Sequence, residues 1–568
     1  MTLPPLITGI RRRLFGQLLA NGVAQAGVAL AGASLVHFAF DHLASDAGAA
    51  AMIEIAVIAA VLLALAGAGA WLRTRERTDA ERLGQDYAGD VRIALFDRLS
   101  SAPPRQLQAR SRGATMLRFI GDLQALRQWI SLGAARITVS LLVATVVLAG
   151  LAVINAAVAL GCAAALAAGI FCAVLLGEPA RSALREARRR QSRLAANISD
   201  RIAGIAVVQA FGQERRERRR IAHQSLRLQD AMVRKATQLA LLRAIADATA
   251  STATAAVLLV GAYEMARGRA DAATVAAAVT LAGLMAPAIR DLGLVHGYWN
   301  AYQVAREKLL DFLGTAPPPV LTIGTPKLSV ASGKVVFEEV SLSPALDGIT
   351  GTIPGGSLTA ITGPNGSGKS TLLSLVARLA SPEHGRVLID GQDLARCSPE
   401  SVRRAVAMVS PDLPLLRGTL EDNLSYRWPD APSAELERVR RLCRIDEIAD
   451  DLPRGLKTRI VDGGANLSVG QRHRITFARA LLGNPSVLLL DELDANLDAA
   501  TRELVDQIIE AYPGTVLMAT HNPARALGAD LVWLLAGGRL LESGDPGRLL
   551  TTDGPTAHYF GPVLAAAS

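Results

Sequence analysis

The nine residues from Gly363 to Thr371 have types and spacing that suit the binding of phosphate. Glycines let successive backbone N–H groups curl around phosphate oxygens, because a residue without a Cβ adopts positive φ easily. Lys369 can reach the β- and γ-phosphates of a nucleotide, and the Ser370 hydroxyl can hold Mg²⁺. The predicted nucleotide-binding residues of this loop are Gly363, Pro364, Asn365, Gly366, Ser367, Gly368, Lys369, Ser370 and Thr371.

The segments on either side of this loop favour the same interpretation. Residues 358–361 form an apolar run typical of a short buried strand, and residues 372–376 begin a helical pattern. A strand, a glycine-rich loop and a helix in that order are typical of a phosphate-binding loop, and the helix N-terminus adds the positive end of its dipole. The alternative is a glycine-rich turn without a ligand.

Two adjacent carboxylates, Asp491 and Glu492, follow the apolar run of residues 487–490. This run predicts a buried strand of a parallel sheet, beside the phosphate-binding loop. Asp491 is then placed to hold Mg²⁺, directly or through water, and Glu492 to take a proton from the attacking water. The alternative is a strand end with solvent-facing acids, which leaves the upstream loop unexplained.

Residues 516–520 predict another buried strand, and His521 follows it directly. A lone histidine is more often a structural residue than a catalytic one. At the carboxyl end of a strand in the same sheet, however, His521 could reach the γ-phosphate of a bound nucleotide.

A second loop of small residues, 467–471, precedes another predicted helix, and it contains Ser468, Gly470 and Gln471. This loop can also bind an anion at a helix N-terminus. One phosphate-binding loop does not require another within the same chain. A symmetric dimer does, because the second loop of each copy could close over the nucleotide that the other copy holds.

Composition points to a membrane region followed by a soluble one. The chain has 568 residues, of which 50% are hydrophobic, and its mean hydropathy is +0.28. The long apolar runs lie in the first half. The net charge of +9 comes with arginines clustered beside those runs, which favours the flanks of membrane helices over a nucleic-acid surface. The four cysteines have no disulfide or metal-site spacing.

Six apolar segments are long enough to cross a lipid bilayer as helices. Two long charged connections, residues 73–128 and 179–238, carry helical periodicity and many arginines, so we place them in the cytoplasm as helical extensions of the spans, together with the N-terminus. Each is interrupted near its middle, at residues 101–104 and 211–214. The predicted spans are residues 14–40, 52–72, 130–151, 154–176, 239–265 and 272–295.

The predicted fold is therefore multidomain, with an all-α transmembrane domain of six helices followed by an α/β P-loop ATPase domain. A run of Pro and Gly after residue 313 predicts the boundary. The expected transmembrane domain is residues 1–315, the linker 316–330 and the nucleotide-binding domain 331–568.

Taken together, these motifs resemble those of an ATP-binding cassette (ABC) exporter half-transporter over nearly the whole chain. Residues 363–371 match the Walker A motif and residues 488–491 match Walker B. Residues 467–471 are similar to the family signature, with Val469 in place of the usual glycine. Residues 495–498 resemble the loop that touches the partner subunit, through Asp498.

This resemblance implies an ATPase with ATP and Mg²⁺ as cofactors and Lys369, Glu492 and His521 as catalytic residues. It implies a multi-pass protein of the lipid bilayer, exporting an unidentified substrate as a dimer of two copies or with a related half-transporter. No nucleic-acid partner is expected. The Ala- and Arg-rich composition suggests a bacterial inner (plasma) membrane, with the ATPase domain in the cytoplasm.

The sequence departs from the family pattern at two positions. Pro344 stands where an aromatic residue usually stacks on adenine, and Pro411 stands where a glutamine usually couples Mg²⁺ to the membrane domain. Three alternatives stay open: one half of a heterodimeric ABC transporter, an importer with the exporter fold, and an ATP-gated regulatory or channel protein. Transport direction would separate export from import, and an ion conductance independent of substrate would favour a channel.

Overall fold

The computed structural model describes residues 3–43, 49–102, 116, 118–315, 325–492 and 497–565. The chain divides into two compact units, Met1–Pro319 and Val320–Ser568. The first part of the predicted linker, residues 316–324, lies outside the described residues.

The first unit is helical from Ile10 onward in its described part, apart from short turns between the helices. Six of its helices are long and apolar enough to cross a membrane, as predicted. Two π-helical turns, Arg118–Asp122 and Trp129–Ala134, flank α3. The helices are α1 (Ile10–Leu43), α2 (Ala49–Ser101), α3 (Leu123–Gln128), α4 (Ala135–Ile154), α5 (Ala156–Leu175), α6 (Gly177–Ala203), α7 (Ile205–Ala210), α8 (Glu214–Ala266) and α9 (Ala272–Thr315).

Two predicted spans are parts of much longer helices. Helices α2 and α8 each run for 53 residues, so the apolar span and the charged extension form one uninterrupted helix. The predicted break at residues 211–214 coincides with the turn between α7 and α8, where Phe211 is 74% exposed. The predicted break at residues 101–104 lies for the most part outside the described residues.

A small residue allows α5 and α8 to approach each other closely. A Cβ at Gly169 would lie 2.0 Å from Thr249 Oγ1, and Thr249 is held by donating to Ile245 O at 2.7 Å. Small residues at helix contacts are the usual way in which membrane helices bring their backbones together. A methyl group at position 169 therefore has no room unless the helices separate.

We expect Gly169→Ala to lower the melting temperature of the purified protein in lipid nanodiscs, with a loss of about 1–3 kcal/mol from overpacking. The matched control is Gly67→Ala in α2, where nothing lies within 4 Å of the new Cβ. Both substitutions gain the same helix propensity, so their difference isolates the contact with Thr249. Adding Thr249→Ala should recover part of the loss, and an equal melting temperature for both single variants would contradict this account.

The second unit is built on two sheets. The six-stranded sheet has the order β12-β11-β3-β10-β9-β6, and the four-stranded sheet has the order β2-β1-β4-β5. The pair β7 and β8 forms a separate ribbon. The strands are β1 (Val335–Leu342), β2 (Leu346–Ile353), β3 (Leu358–Thr362), β4 (His384–Ile389), β5 (Gln392–Asp393), β6 (Val406–Val409), β7 (Gly418–Thr419), β8 (Arg459–Ile460), β9 (Val487–Asp491), β10 (Thr515–Ala519), β11 (Leu531–Ala536) and β12 (Arg539–Gly544).

Helices lie between these strands along the chain, and two more follow the last strand. They are α10 (Lys369–Val376), α11 (Pro399–Ala405), α12 (Leu420–Ser425), α13 (Ser433–Leu442), α14 (Ile445–Asp450), α15 (Val469–Leu481), α16 (Ala499–Glu510), α17 (Pro523–Leu527), α18 (Pro546–Thr551) and α19 (Pro555–Ala565).

The central strands of the larger sheet are parallel and buried on both faces. All five residues of β9 and all five of β10 are buried, which explains why their sequences are continuous apolar runs instead of alternating ones. In the register of the sheet, Ala519 pairs with both Ile361 and Asp491. The carboxyl ends of β3, β9 and β10 therefore meet at one edge.

Candidate functional site

The edge where β3, β9 and β10 end carries the residues that the sequence singled out. The phosphate-binding loop leaves β3 after Thr362, Asp491 is the last residue of β9, and His521 follows β10 by two residues. Ligands of open α/β sheets bind outside the carboxyl ends of the strands. This edge is the candidate nucleotide site.

The backbone of the phosphate-binding loop requires glycine at two positions. Gly363 has φ +142° and Gly368 has φ +103°, which few residues with a side chain adopt. A Cβ at Gly363 would also lie 1.9 Å from Leu535 O, and one at Gly368 would lie 2.6 Å from Ala345 O. The glycines therefore let the loop pass against neighbouring backbone while its N–H groups stay available.

Lys369 begins α10 and lies inside the loop. Its Nζ donates to Gly363 O at 2.8 Å and to Pro364 O at 3.0 Å. Burial lowers the pKa of Lys369, and the carboxylates of Glu492 and Asp491 act in the opposite direction. These contacts hold the ammonium group among the loop's own carbonyl groups.

Ser367 adds a buried hydroxyl to the same loop. Its residue is 2% exposed, and its Oγ has no hydrogen-bond partner within the part of the chain that the structure describes. A buried polar atom without a partner is costly, so such an atom marks a place where a ligand can supply one. A phosphate oxygen would satisfy it.

Asp491 accepts hydrogen bonds from two serines. Ser370 Oγ donates to Oδ1 at 2.8 Å and Ser410 Oγ donates to Oδ2 at 3.2 Å. Burial raises the pKa of Asp491, and the two serine hydroxyls oppose that rise. A hydroxyl and a carboxylate side by side are oxygen ligands of the kind that Mg²⁺ takes, so Ser370 and Asp491 fit the ion.

Ser410 is a member of this site that the sequence reasoning missed. It directly follows β6, which pairs in parallel with β9, so its side chain reaches the same edge. Asp491 and His521 were identified because each is a polar residue at or directly after the end of a predicted buried strand. The same pattern would have identified Ser410. The next residue, Pro411, occupies the position of the expected glutamine and is exposed.

Glu492 leaves the sheet in an unusual conformation. Its φ is +49°, its side chain is exposed, and its backbone N–H donates to Ala519 O at 3.3 Å. Residues with a side chain rarely adopt positive φ, and such positions are frequent at functional sites. The Glu492 carboxylate is therefore exposed at the edge of the site, where it opposes the lowering of the Lys369 pKa by burial. Residues 493–496, including the start of the predicted partner-contact loop, lie outside the described residues.

His521 is half-buried at the end of its strand. Its Nδ1 lies 3.0 Å from the hydroxyl of Tyr559, which belongs to the last helix, α19. The sequence reasoning did not find Tyr559, because 38 residues separate it from His521 and no local pattern marks it.

The second loop is organised around the N-terminus of α15. Ser468 Oγ accepts from Gln471 N at 3.1 Å and Gln471 Oε1 accepts from Ser468 N at 3.0 Å, which is a capping box. A Cβ at Gly470 would lie 2.5 Å from Asp498 Oδ2, so the loop and Asp498 touch. Asp498 itself caps α16 by accepting from Thr501 N at 2.7 Å. The phosphate-binding loop and the second loop of one chain thus precede two different helices, α10 and α15.

Pro344 lies in the turn between β1 and β2, where it is exposed. A saturated ring of this kind lacks the π-face that an aromatic side chain would offer to adenine.

A helical membrane unit followed by a parallel-sheet unit with a phosphate-binding loop defines a membrane-bound P-loop ATPase. Comparison with known protein families shows to which family of P-loop ATPases the chain belongs. The family model of the ABC transporter transmembrane region matches residues 18–288, and the ABC transporter model matches residues 346–495. The chain belongs to the ABC transporter family, whose members hydrolyse ATP, and its fold is that of an exporter-type half-transporter.

Individual proteins resemble it to different extents. The ATP-dependent lipid A-core flippase of Chromobacterium violaceum is 29% identical over 82% of this chain and 80% of its own length. The mycobactin import ATP-binding/permease protein IrtB of Mycolicibacterium thermoresistibile is 37% identical to this chain. The matched segment covers 47% of this chain and 48% of that protein. A solved structure of a bacterial Atm1-family ABC exporter with ATP bound has a TM-score of 0.87 and 24% identity, covering 97% of this chain and 98% of that one.

Proposed function

We propose that this protein is the subunit of an ATP-driven exporter that works as a dimer of two identical chains. The observation that carries the proposal is the convergence of the phosphate-binding loop, Asp491, Glu492 and His521 at one sheet edge, in a chain with six membrane-crossing helices. We place the protein in a bacterial inner membrane, with the ATPase unit and the N-terminus in the cytoplasm.

Each residue at this edge has a proposed task in hydrolysis. Lys369 and the loop N–H groups orient the β- and γ-phosphates, and Glu492 accepts the proton of the attacking water. His521 donates a hydrogen bond to the γ-phosphate. Mg²⁺, held by Ser370 and Asp491, would neutralise part of the phosphate charge when it is bound.

The second loop is proposed to complete the site across the dimer. Ser468, Gly470 and Gln471 lie at the N-terminus of α15, where N–H groups and the helix dipole attract an anion. In a symmetric dimer this loop would close over the nucleotide that the other copy holds, with Asp498 beside it at the interface. ATP would then favour the closed dimer, because only that state contacts the nucleotide from both sides.

The exposed turn around Phe211 is proposed as a coupling element. It lies between α7 and α8, and α8 continues as one helix to Ala266. A displacement of the turn is therefore transmitted along a rigid helix toward the membrane.

A cavity in the membrane unit supports an apolar or amphipathic substrate. It has a volume of about 560 Å³ between α4, α5, α8 and α9, and its lining is mainly apolar. Trp129 and Trp299 line it, and their rings lie 4.7 Å apart. Apolar pockets with a few aromatic side chains bind molecules whose own surface is largely apolar.

The test is ATP hydrolysis by the purified chain alone in lipid nanodiscs. Turnover without any other protein is the expected result, and it would favour the homodimer over one half of a heterodimer. Amphipathic compounds that stimulate ATP hydrolysis would then be tested for transport into inverted vesicles. Uptake into these vesicles would indicate export, and its absence would favour import, the activity named for the mycobactin relative. An ATP-dependent ion conductance without hydrolysis would overturn the proposal in favour of a gated channel.

A further inference from the structure

The last helix of the chain reaches the candidate nucleotide site through one side chain. Tyr559, on α19, places its hydroxyl 3.0 Å from Nδ1 of His521. The phenol oxygen also lies against the Thr362 hydroxyl and the Gly363 N–H, at the start of the phosphate-binding loop. One hydroxyl therefore meets the ends of both β3 and β10.

The fold holds Tyr559 firmly in this position. Thr556 is fully buried, and its backbone N–H and its hydroxyl both donate to Glu542 Oε2, at 2.8 Å and 2.6 Å. Phe560 is also fully buried, in an apolar cluster with Ala526 and Val532. With neighbours on both sides fixed, the tyrosine ring has little freedom to swing away from His521.

The surroundings of the phenol oxygen favour one direction for its hydrogen bond with His521. The Thr362 hydroxyl and the Gly363 N–H both lower the pKa of Tyr559, as donors close to the phenol oxygen do. Burial raises the pKa of Tyr559, so the phenol keeps its own hydrogen at neutral pH. Nδ1 of His521, at 3.0 Å, is then placed to accept that hydrogen.

We propose that Tyr559 is a positioning residue, which donates its hydroxyl hydrogen to Nδ1 of His521 and thereby keeps the imidazole hydrogen on Nε2. A neutral imidazole carries one N–H, and the hydrogen bond at one ring nitrogen determines which nitrogen carries it. A histidine with Nε2–H can donate to a γ-phosphate oxygen, whereas the other tautomer would present a lone pair to an anion. Partners that orient a functional histidine in this way are known to matter strongly at metal sites.

This inference rests on the proposed role of His521, and its test separates the two. The full chain in nanodiscs is compared as wild type, Tyr559→Phe, His521→Ala and the double variant. Tyr559→Phe keeps the ring beside Phe560 and removes only the hydroxyl. We expect it to lower kcat for ATP hydrolysis about tenfold, the lower end of the effect of such partners, with KM for ATP nearly unchanged.

The double variant distinguishes an effect of Tyr559 through His521 from a purely structural effect, because it measures the loss of kcat when His521 is absent. If Tyr559 acts through His521, adding Tyr559→Phe to His521→Ala produces no further loss, because the group it orients is gone. Equal fractional losses in both backgrounds would overturn the inference, as would a harmless Tyr559→Phe beside an impaired His521→Ala. A fully active His521→Ala would overturn the proposed role of His521 and the inference with it.

A matched control comes from Tyr512, whose hydroxyl donates to Pro485 O elsewhere in the same unit. Tyr512→Phe should combine additively with His521→Ala. Should Tyr559→Phe fail to fold, 3-fluorotyrosine at position 559 keeps the shape of the residue and makes the hydroxyl a stronger donor. Its effect on kcat should then appear only when His521 is present, and an effect that persists in His521→Ala would overturn the inference.

Discussion

Glu492→Gln is expected to lower ATP hydrolysis by at least about a hundredfold while leaving ATP binding intact, since a general base contributes roughly 10²–10⁴-fold. The amide has nearly the same shape as the carboxylate but cannot accept a proton from the attacking water. Phosphate release in nanodiscs measures the rate, and a fluorescent ATP analogue measures binding.

The surroundings of Glu492 allow this substitution to test the carboxylate alone. The Glu492 side chain is exposed, and the hydrogen bond from this residue to Ala519 O uses its backbone, which glutamine keeps. The matched control is Glu503→Gln, the same substitution at an exposed position of α16, which should retain full activity. A Glu492→Gln variant with more than half of the wild-type rate would exclude Glu492 as the base.

Lys369→Met is expected to weaken ATP binding by about 30-fold to 1,000-fold, or roughly 2–4 kcal/mol, because hydrogen bonds to charged groups are among the strong ones. Methionine has a similar length and apolar stem but no ammonium group. It cannot neutralise phosphate charge, and it cannot donate to Gly363 O or Pro364 O. Titration of the variant with the fluorescent ATP analogue gives the change in Kd.

Lys457→Met is the control for Lys369→Met, because Lys457 is exposed in a short 3₁₀ turn of the same unit. That variant should bind ATP as the wild type does. Unchanged ATP affinity in Lys369→Met would show that the loop does not hold the nucleotide phosphates, and the proposed site would have to lie elsewhere.

Local signals in the sequence predicted the parts of the site that are built locally. The loop around Lys369 lies between a strand and a helix as expected, and Asp491 ends a fully buried strand. Polar residues after apolar runs converge because the carboxyl ends of parallel strands share an edge, so His521 could be placed without knowing the order of the strands.

The remaining features depend on contacts between distant segments. Nothing near Tyr559 in the sequence shows that α19 folds back to the phosphate-binding loop. The approach of Gly470 to Asp498 likewise joins two loops that are separate in the sequence. Ser410 follows a buried strand and so belongs at the same edge, but its hydrogen bond to Asp491 depends on β6 lying beside β9, which local periodicity does not specify.

Both the number of membrane helices and the helical continuation of two of them beyond their apolar parts were predicted from the sequence. An apolar window marks where α2 and α8 cross the membrane, but it contains no signal for where each helix ends. Their polar continuations are helical because arginines and acids at helical spacing keep the backbone regular after the apolar part has stopped.

The uninterrupted length of α8 turns it into a mechanical arm. Its 53 residues span about 80 Å at roughly 1.5 Å per residue, of which a bilayer core occupies only about 30 Å. Some 50 Å therefore extends beyond the lipid, and a tilt of about 5° around the membrane surface moves the far end by about 4 Å. A small rotation among the tightly packed helices in the bilayer therefore produces a displacement as large as an atom's diameter at the other end of α8. Modest repacking of the membrane helices thus moves Phe211 by several times as much.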